Sequence, residues 1–171
     1  NEWLKEFVAR ISNKRKKTKK REHLFPDAFT LSEFPIRYVS GNADVIAFSD
    51  GPRKSVNIFF KNKEKRITKL PEILFVIKNR GLYAFEQVEK DRYLALNLPN
   101  ISERGSVCMG NAIDRDAKLS VNEMVSAYDK AFWKSSFNSH SDATGYDWEK
   151  DDTFTYSRRK TNPFKLNIDA Y

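Results

Sequence analysis

Ile73-Leu74-Phe75-Val76-Ile77 is an unbroken apolar run, preceded by Leu70-Pro71 and closed by the turn signal Asn79-Arg80-Gly81. It reads as a strand buried on both faces, with no polar alternation to mark a wet side. Such a strand needs partners along both edges and cover above and below. Leu82 to Phe85 supplies one partner as the returning strand of a hairpin. Ile36 to Val39, Val45 to Phe48 and Val56 to Phe60 are further β-rich runs, separated by the turn signals Gly41-Asn42 and Asp50-Gly51-Pro52. Lys61 to Lys69 reads as a polar, basic connection, and Tyr93 to Leu96 as a last strand.

Cover comes from helices. Leu4, Phe7, Val8 and Ile11 lie at helical spacing over residues 2–11, with Trp3 near the start, and Phe25-Pro26-Asp27 ends any helix there. Ser120 and Glu123 form a capping box, and behind it Val121, Met124, Val125, Tyr128 and Phe132 make one apolar stripe. The expected fold class is α+β, an antiparallel meander flanked by helices, with Cys108 in a loop before the second main helix. Beyond Ser141 the chain turns polar, and it contains no internal repeat and no Gly-rich phosphate loop. The expected division is an N-terminal helix and basic linker over 1–34, a main domain over 35–140 and a polar C-terminal extension over 141–171.

At 171 residues, 40% apolar and 13% aromatic, the chain has the composition of one globular domain. No apolar run approaches the ~20 residues of a membrane span, so no membrane partner is expected and the cytoplasm is the default location. A single Cys accords with a reducing compartment. The first residue is Asn rather than Met, so further upstream sequence is expected. Of the net charge of +8, seven units come from the run Lys14 to Arg21, leaving +1 for the rest. That run reads as a solvated linker, a phosphate-binding segment or a dock for an acidic protein.

The chemistry centres on Cys108. A lone Cys between Val107 and Met109 suits a buried structural role as well as a nucleophilic one. However, it stands eight residues after Asn100 in Leu98-Pro99-Asn100-Ile101-Ser102-Glu103-Arg104-Gly105-Ser106-Val107-Cys108. This arrangement resembles the ubiquitin-conjugating (E2) enzymes, which carry His-Pro-Asn, a short loop, then Gly-x-Ile/Val-Cys. Pro99, Asn100, Gly105, Val107 and Cys108 are in step, and Leu98 replaces the His. The chain is most similar to prokaryotic E2-like family D, which includes protein B of the plasmid-borne PRTRC system. That family shares a Val-Cys-x-Gly core, here Val107-Cys108-Met109-Gly110, and a later aromatic-rich segment ending in His, here Ala131 to His140. The motif match covers about residues 70–140.

The resemblance implies an E2-like fold and acyl carriage. Cys108 would hold a ubiquitin-like protein as a thioester, received from a ThiF-like (E1-like) activating enzyme and passed to an amine. Asn100 would support the loop or stabilise an oxyanion, against the plainer use of an Asn that closes a turn after Pro99. His140 would orient or deprotonate the amine, or stand as a surface His, with Asp142 and Asp114 as further candidates. No cofactor is expected, and His23, His140 and one Cys have no metal-ligand spacing. The rival readings are a catalytically silent E2-like binding module and a nucleic-acid-binding accessory protein of a mobile element acting through residues 14–21.

Overall fold

The structure, a computed structural model, describes residues 36–41, 45–110, 112–113, 118–138 and 145–166. The expected N-terminal helix and the basic run 14–21 lie outside these residues. The described elements are β1 (Ile36–Gly41), β2 (Val45–Asp50), β3 (Arg53–Phe60), β4 (Lys63–Leu70), β5 (Ile73–Lys78), β6 (Gly81–Glu89), β7 (Arg92–Ala95), α1 (Val121–Lys134), β8 (Ser136–Phe137) and β9 (Thr153–Thr155). They form a five-stranded sheet of order β1-β2-β5-β6-β7 and a four-stranded sheet of order β8-β3-β4-β9. All pairings of the first sheet are antiparallel. In the second, β3 and β4 are an antiparallel hairpin, flanked by β8 and β9 in parallel. The class is therefore α+β, mostly antiparallel.

Two features differ from the expected single meander. After β2 the chain leaves the first sheet, makes the β3–β4 hairpin in the second, and returns as β5 beside β2. The segment expected as a polar connection, Lys61 to Lys69, is largely strand β4. Its inward positions are Lys65 and Ile67, so a charged residue occupies a core-facing place and masks the alternation. The Lys65 ammonium is satisfied by Asp151 O and Asp152 Oδ1, both at 2.6 Å, and its alkyl stem lies buried.

The β5 run is buried at every position. Ile73, Phe75 and Ile77 join a large core with Ile46 and Phe48 of β2, Ile58 and Ile67 of the second sheet, and Val125, Tyr128 and Phe132 of α1. Leu74 and Val76 face the other way, into a smaller cluster with Val45, Ala47, Phe85 and Tyr93, against which Phe164 and Leu166 pack. This is the period-two alternation of a pleated strand with both faces dry. The β3–β4 and β5–β6 hairpins each turn through two residues of positive φ, Lys61-Asn62 (47° and 64°) and Asn79-Arg80 (50° and 63°). That is the mirror-image turn geometry whose twist matches the flanking strands.

Helix α1 begins at its capping box. Ser120 Oγ accepts from Glu123 N at 3.3 Å, and Glu123 Oε2 accepts from Ser120 N at 2.8 Å. Phe132 sits at its centre of packing, edge-on to Phe75 at 4.9 Å and to Phe137 at 5.6 Å. Trp148 and Phe154, from the polar C-terminal stretch, also enter the large core, with Trp148 stacked on Phe60 and tilted against Phe154.

A buried ionic cluster fastens α1 to β2. Asp50, fully buried, accepts Arg53 Nε at 3.1 Å, Arg53 Nη2 at 2.8 Å and Trp133 Nε1 at 2.8 Å, while the Arg53 guanidinium lies over the Trp133 ring at 4.6 Å. Asp129 of α1 is also fully buried beside Asp50, which takes the Arg53 and Trp133 donors. Burial, and then the adjacent Asp50 charge, push the Asp129 carboxyl up to about 8. The folded protein thus keeps a proton that the unfolded chain releases at about pH 4. Unfolding releases that proton, so the contribution of this carboxyl to stability falls as pH rises from about 4 to about 8. Asp129→Asn should flatten this dependence. Thermal melts of the variant across that window should slope less steeply than those of the wild type, and parallel curves would clear Asp129 as the proton's seat.

Candidate functional site

Cys108 lies on the connection from Ala95 to Val121, and its placement begins with where β7 stops. β7 pairs with β6 only as far as Ala95 opposite Phe85, leaving the first part of β6 with an open edge. Leu96 makes one more bond, its N–H to Ala84 O at 3.0 Å, and the chain then departs. It returns antiparallel along the vacated edge. Gly105 O accepts from Ala84 N at 2.8 Å, Val107 N donates to Leu82 O at 2.9 Å, and Ser106 is bridged to Tyr83.

The turn between the two limbs is tightly specified. Ser102 N donates to Ser106 O and Gly105 N to Ser102 O, both at 2.9 Å, and Ser102 Oγ accepts from Ser106 N at 3.1 Å. Ile101 and Val107 are bridged behind it, both buried. Gly105 has φ +84°, and a Cβ there would stand 2.2 Å from Phe85 Cε1. The glycine of the Gly-x-Val-Cys pattern is thus demanded by φ and by space.

Cys108 follows, with its backbone held and its side chain exposed. Its N–H donates to Asn100 O at 2.7 Å. Asn100 is buried at φ +63°, a left-handed conformation that Asn tolerates better than most residues. Its carboxamide bridges outward, with Nδ2 donating to Ser136 O at 3.2 Å and Oδ1 accepting from Asn138 N at 3.0 Å. Asn100 therefore ties the Cys108 backbone to the strand that follows α1. Leu98, standing where the E2 pattern has His, is completely buried in the large core and offers no polar atom.

A second set of ties comes from residues 156–159. Tyr156 OH accepts from Asn97 N at 3.2 Å, and Ser157 O accepts from Asn97 Nδ2 at 3.0 Å. Arg158 pairs with the buried Glu86 at 3.4 Å, and burial raises the Glu86 pKa against the opposing pull of that guanidinium. Arg159, itself buried, donates Nε to Leu96 O at 3.3 Å and Nη2 to Ile101 O. Burial lowers the Arg159 pKa, with the Glu103 carboxylate acting the other way. No local sequence signal marks these residues, which reach the Cys108 segment from far along the chain.

Of the residues singled out in sequence, Cys108 and Asn100 are brought together, whereas His140, Asp142 and Asp114 lie outside the described residues. Among the described residues no group of three or more His, Cys, Asp or Glu is placed to hold a metal. A depression of about 600 Å³ lies on the β3–β4 hairpin, lined by Ser55, Val56, Asn57, Glu64, Arg66 and Asp152, none of them on the Cys108 segment. No helix among the described residues is long and apolar enough to cross a membrane.

The family model for prokaryotic E2 family D matches residues 7–161, nearly the whole chain, and the chain belongs to that family. No curated protein and no solved structure matches it.

The two glycines near Cys108 should respond differently to substitution. Gly105→Ala should cost about 2–4 kcal/mol, as the new methyl collides with the buried Phe85 ring at a left-handed φ. Gly110→Ala meets nothing within 4 Å at φ +55° and should cost about 1 kcal/mol, for the backbone alone. Urea unfolding of the two variants measures the gap, and equal costs would mean that Phe85 yields freely.

Proposed function

We propose that this member of prokaryotic E2 family D is an E2-like conjugating protein that carries a ubiquitin-like protein as a thioester on Cys108. The observation that supports this best is the exposed thiol on a backbone anchored by the Asn100 carbonyl, within the Pro-Asn to Gly-x-Val-Cys pattern. On this reading the chain has an E2-like fold and works in the cytoplasm with a ThiF-like activating enzyme.

The chemistry balances without a cofactor. The Cys108 thiolate attacks the carbonyl carbon of the thioester joining the activating enzyme to the C-terminus of the ubiquitin-like protein. A new C–S bond forms, the old one breaks, and the activating enzyme leaves as its thiolate. An amine then attacks the Cys108 thioester. Its nitrogen bonds the carbonyl carbon, the Cys108 thiolate departs, and the amine loses a proton, with His140 proposed to orient or receive it. One N–H of the Asn100 amide serves Ser136 O, and the second is proposed to donate to the oxyanion of each tetrahedral intermediate.

One observation favours a second reading, a catalytically silent E2-like binding module. Both ends of the Asn100 carboxamide are already engaged in holding the loop. The basic run at Lys14 to Arg21 is proposed as a dock for the acidic face of either protein partner, with nucleic-acid binding as its rival.

Incubation with the activating enzyme, the ubiquitin-like protein and ATP should give a thiol-labile adduct. Cys108→Ala should abolish it while shifting stability by no more than about 0.5 kcal/mol, since the side chain is exposed. An adduct that survives the substitution removes Cys108 from the mechanism, and no adduct on the wild type selects the silent module.

Asn100→Ala separates the two uses of that residue. As an oxyanion donor its loss should leave loading intact and slow discharge to amine by about 10²–10³-fold. A parallel decline of loading, discharge and melting temperature would restrict Asn100 to holding the loop.

A further inference from the structure

We infer that Arg159 is the positioning residue for Cys108, clamping from outside the loop the segment that carries the Pro-Asn pair; the inference rests on Cys108 being the reactive thiol. Leu96 and Ile101 are the two ends of that segment, and one buried guanidinium holds the carbonyl of each. Between them lie Leu98, which contributes only apolar packing, and Asn100, whose own carbonyl receives the Cys108 amide. A planar guanidinium with donors at fixed angles sets the separation of two carbonyls in a way a single ammonium cannot.

The three residues before Arg159 brace it. Tyr156 N donates to Thr68 O at 2.9 Å, which continues the pairing of β9 on β4. Tyr156 OH and Ser157 O together hold Asn97, and Ser157 N donates to Tyr146 OH at 2.7 Å. Arg158 pairs with the buried Glu86 of β6. Residues 156–159 thus form a strap that runs from the second sheet across the start of the Cys108 connection, with Arg159 as its last tie. A buried carbonyl that loses its donor is destabilised more than an exposed one, so loss of the guanidinium should be felt first at Leu96 and Ile101 and next at the Cys108 amide.

The experiment is amide hydrogen exchange by NMR on the full chain without any partner, read at Cys108 and at Val76 of β5. Arg159→Met removes both donors and keeps an apolar stem, while Arg159→Lys keeps a charge and a single donor group. In the Met variant, exchange at Cys108 should rise by about tenfold, with Val76 changed less than about twofold, and the Lys variant should show a smaller rise. If the Met variant does not fold, the Lys variant decides at the same amide. Unchanged exchange at Cys108 in a folded variant overturns the proposal, as does an equal rise at Cys108 and Val76. In the loading reaction the Met variant should lower kcat and leave KM for the charged activating enzyme unchanged; a rise in KM alone would make Arg159 a docking residue and overturn the clamp. A wild-type protein that forms no adduct, with the exchange result as expected, overturns the conjugation reading while the clamp on Leu96 and Ile101 stands.

Discussion

β5 has no wet face, and most of the architecture is a response to that fact. Its odd positions need one layer of cover and its even positions another, at roughly 25 cal/mol for each Å² of apolar surface withdrawn from water. On the odd side α1 and the inner face of the second sheet share the work, meeting at Phe132, Phe137 and Ile58. On the even side the chain's late segment contributes, with Phe164 bonded through its backbone to Tyr93 and its ring edge-on to Phe85 at 6.0 Å. α1 and Phe137 on the odd side and Phe164 and Leu166 on the even side all follow Cys108 in sequence, so the central strand is completed only once the connection through Cys108 has been threaded.

That connection is consequently far from a free loop. It starts at the edge of a sheet whose last strand is short, and it re-enters along the same edge, so its outgoing and returning limbs are both tied to β6. Positive φ at Asn100 and Gly105 is the local cost of reversing direction within so few residues, sustained by the bonds around it. The result is an exposed sulfur on an ordered backbone. On the proposed reading, a thiol that meets a large thioester and later presents it to an amine gains from such pre-organisation, because less freedom is lost on reaching the reactive geometry.

Much of this was legible from residue order alone. The β5 run, the Asn79-Arg80 turn, the Ser120 capping box and the α1 stripe are local signals, and each appears where its chemistry requires. β4 was hidden because Lys65 occupies an inward position and finds its partners in Asp151 and Asp152, more than eighty residues away. β8 and β9, of two and three residues, are too short for any periodicity and exist only as parallel additions to the β3–β4 hairpin. At the site, the spacing from Asn100 to Cys108 and the need for Gly105 were readable. Ser136, Asn138, Asn97 and Arg159 were not, since each acts through a backbone or amide contact that only the tertiary fold creates.

The ties around Cys108 are polar although apolar packing was available, and the reason lies in what must be held. Apolar contacts such as Leu98 fill space but tolerate small shifts, whereas the carbonyls of Leu96, Asn100, Ile101 and Ser136 are acceptors that require donors at defined angles. One anchor descends from α1: Asp50 holds Trp133, the helix ends one residue later, and Ser136 and Asn138 then hold Asn100. The other descends from β9 through Tyr156 to Arg159. The two anchors approach the Pro-Asn segment from opposite ends of the later chain, and each is rooted in a buried ionic or aromatic group that is costly to displace. Loosening either should shift the segment as a unit, because Asn100, to which Cys108 is bonded, is held by the first anchor and lies between Leu96 and Ile101, which the second holds.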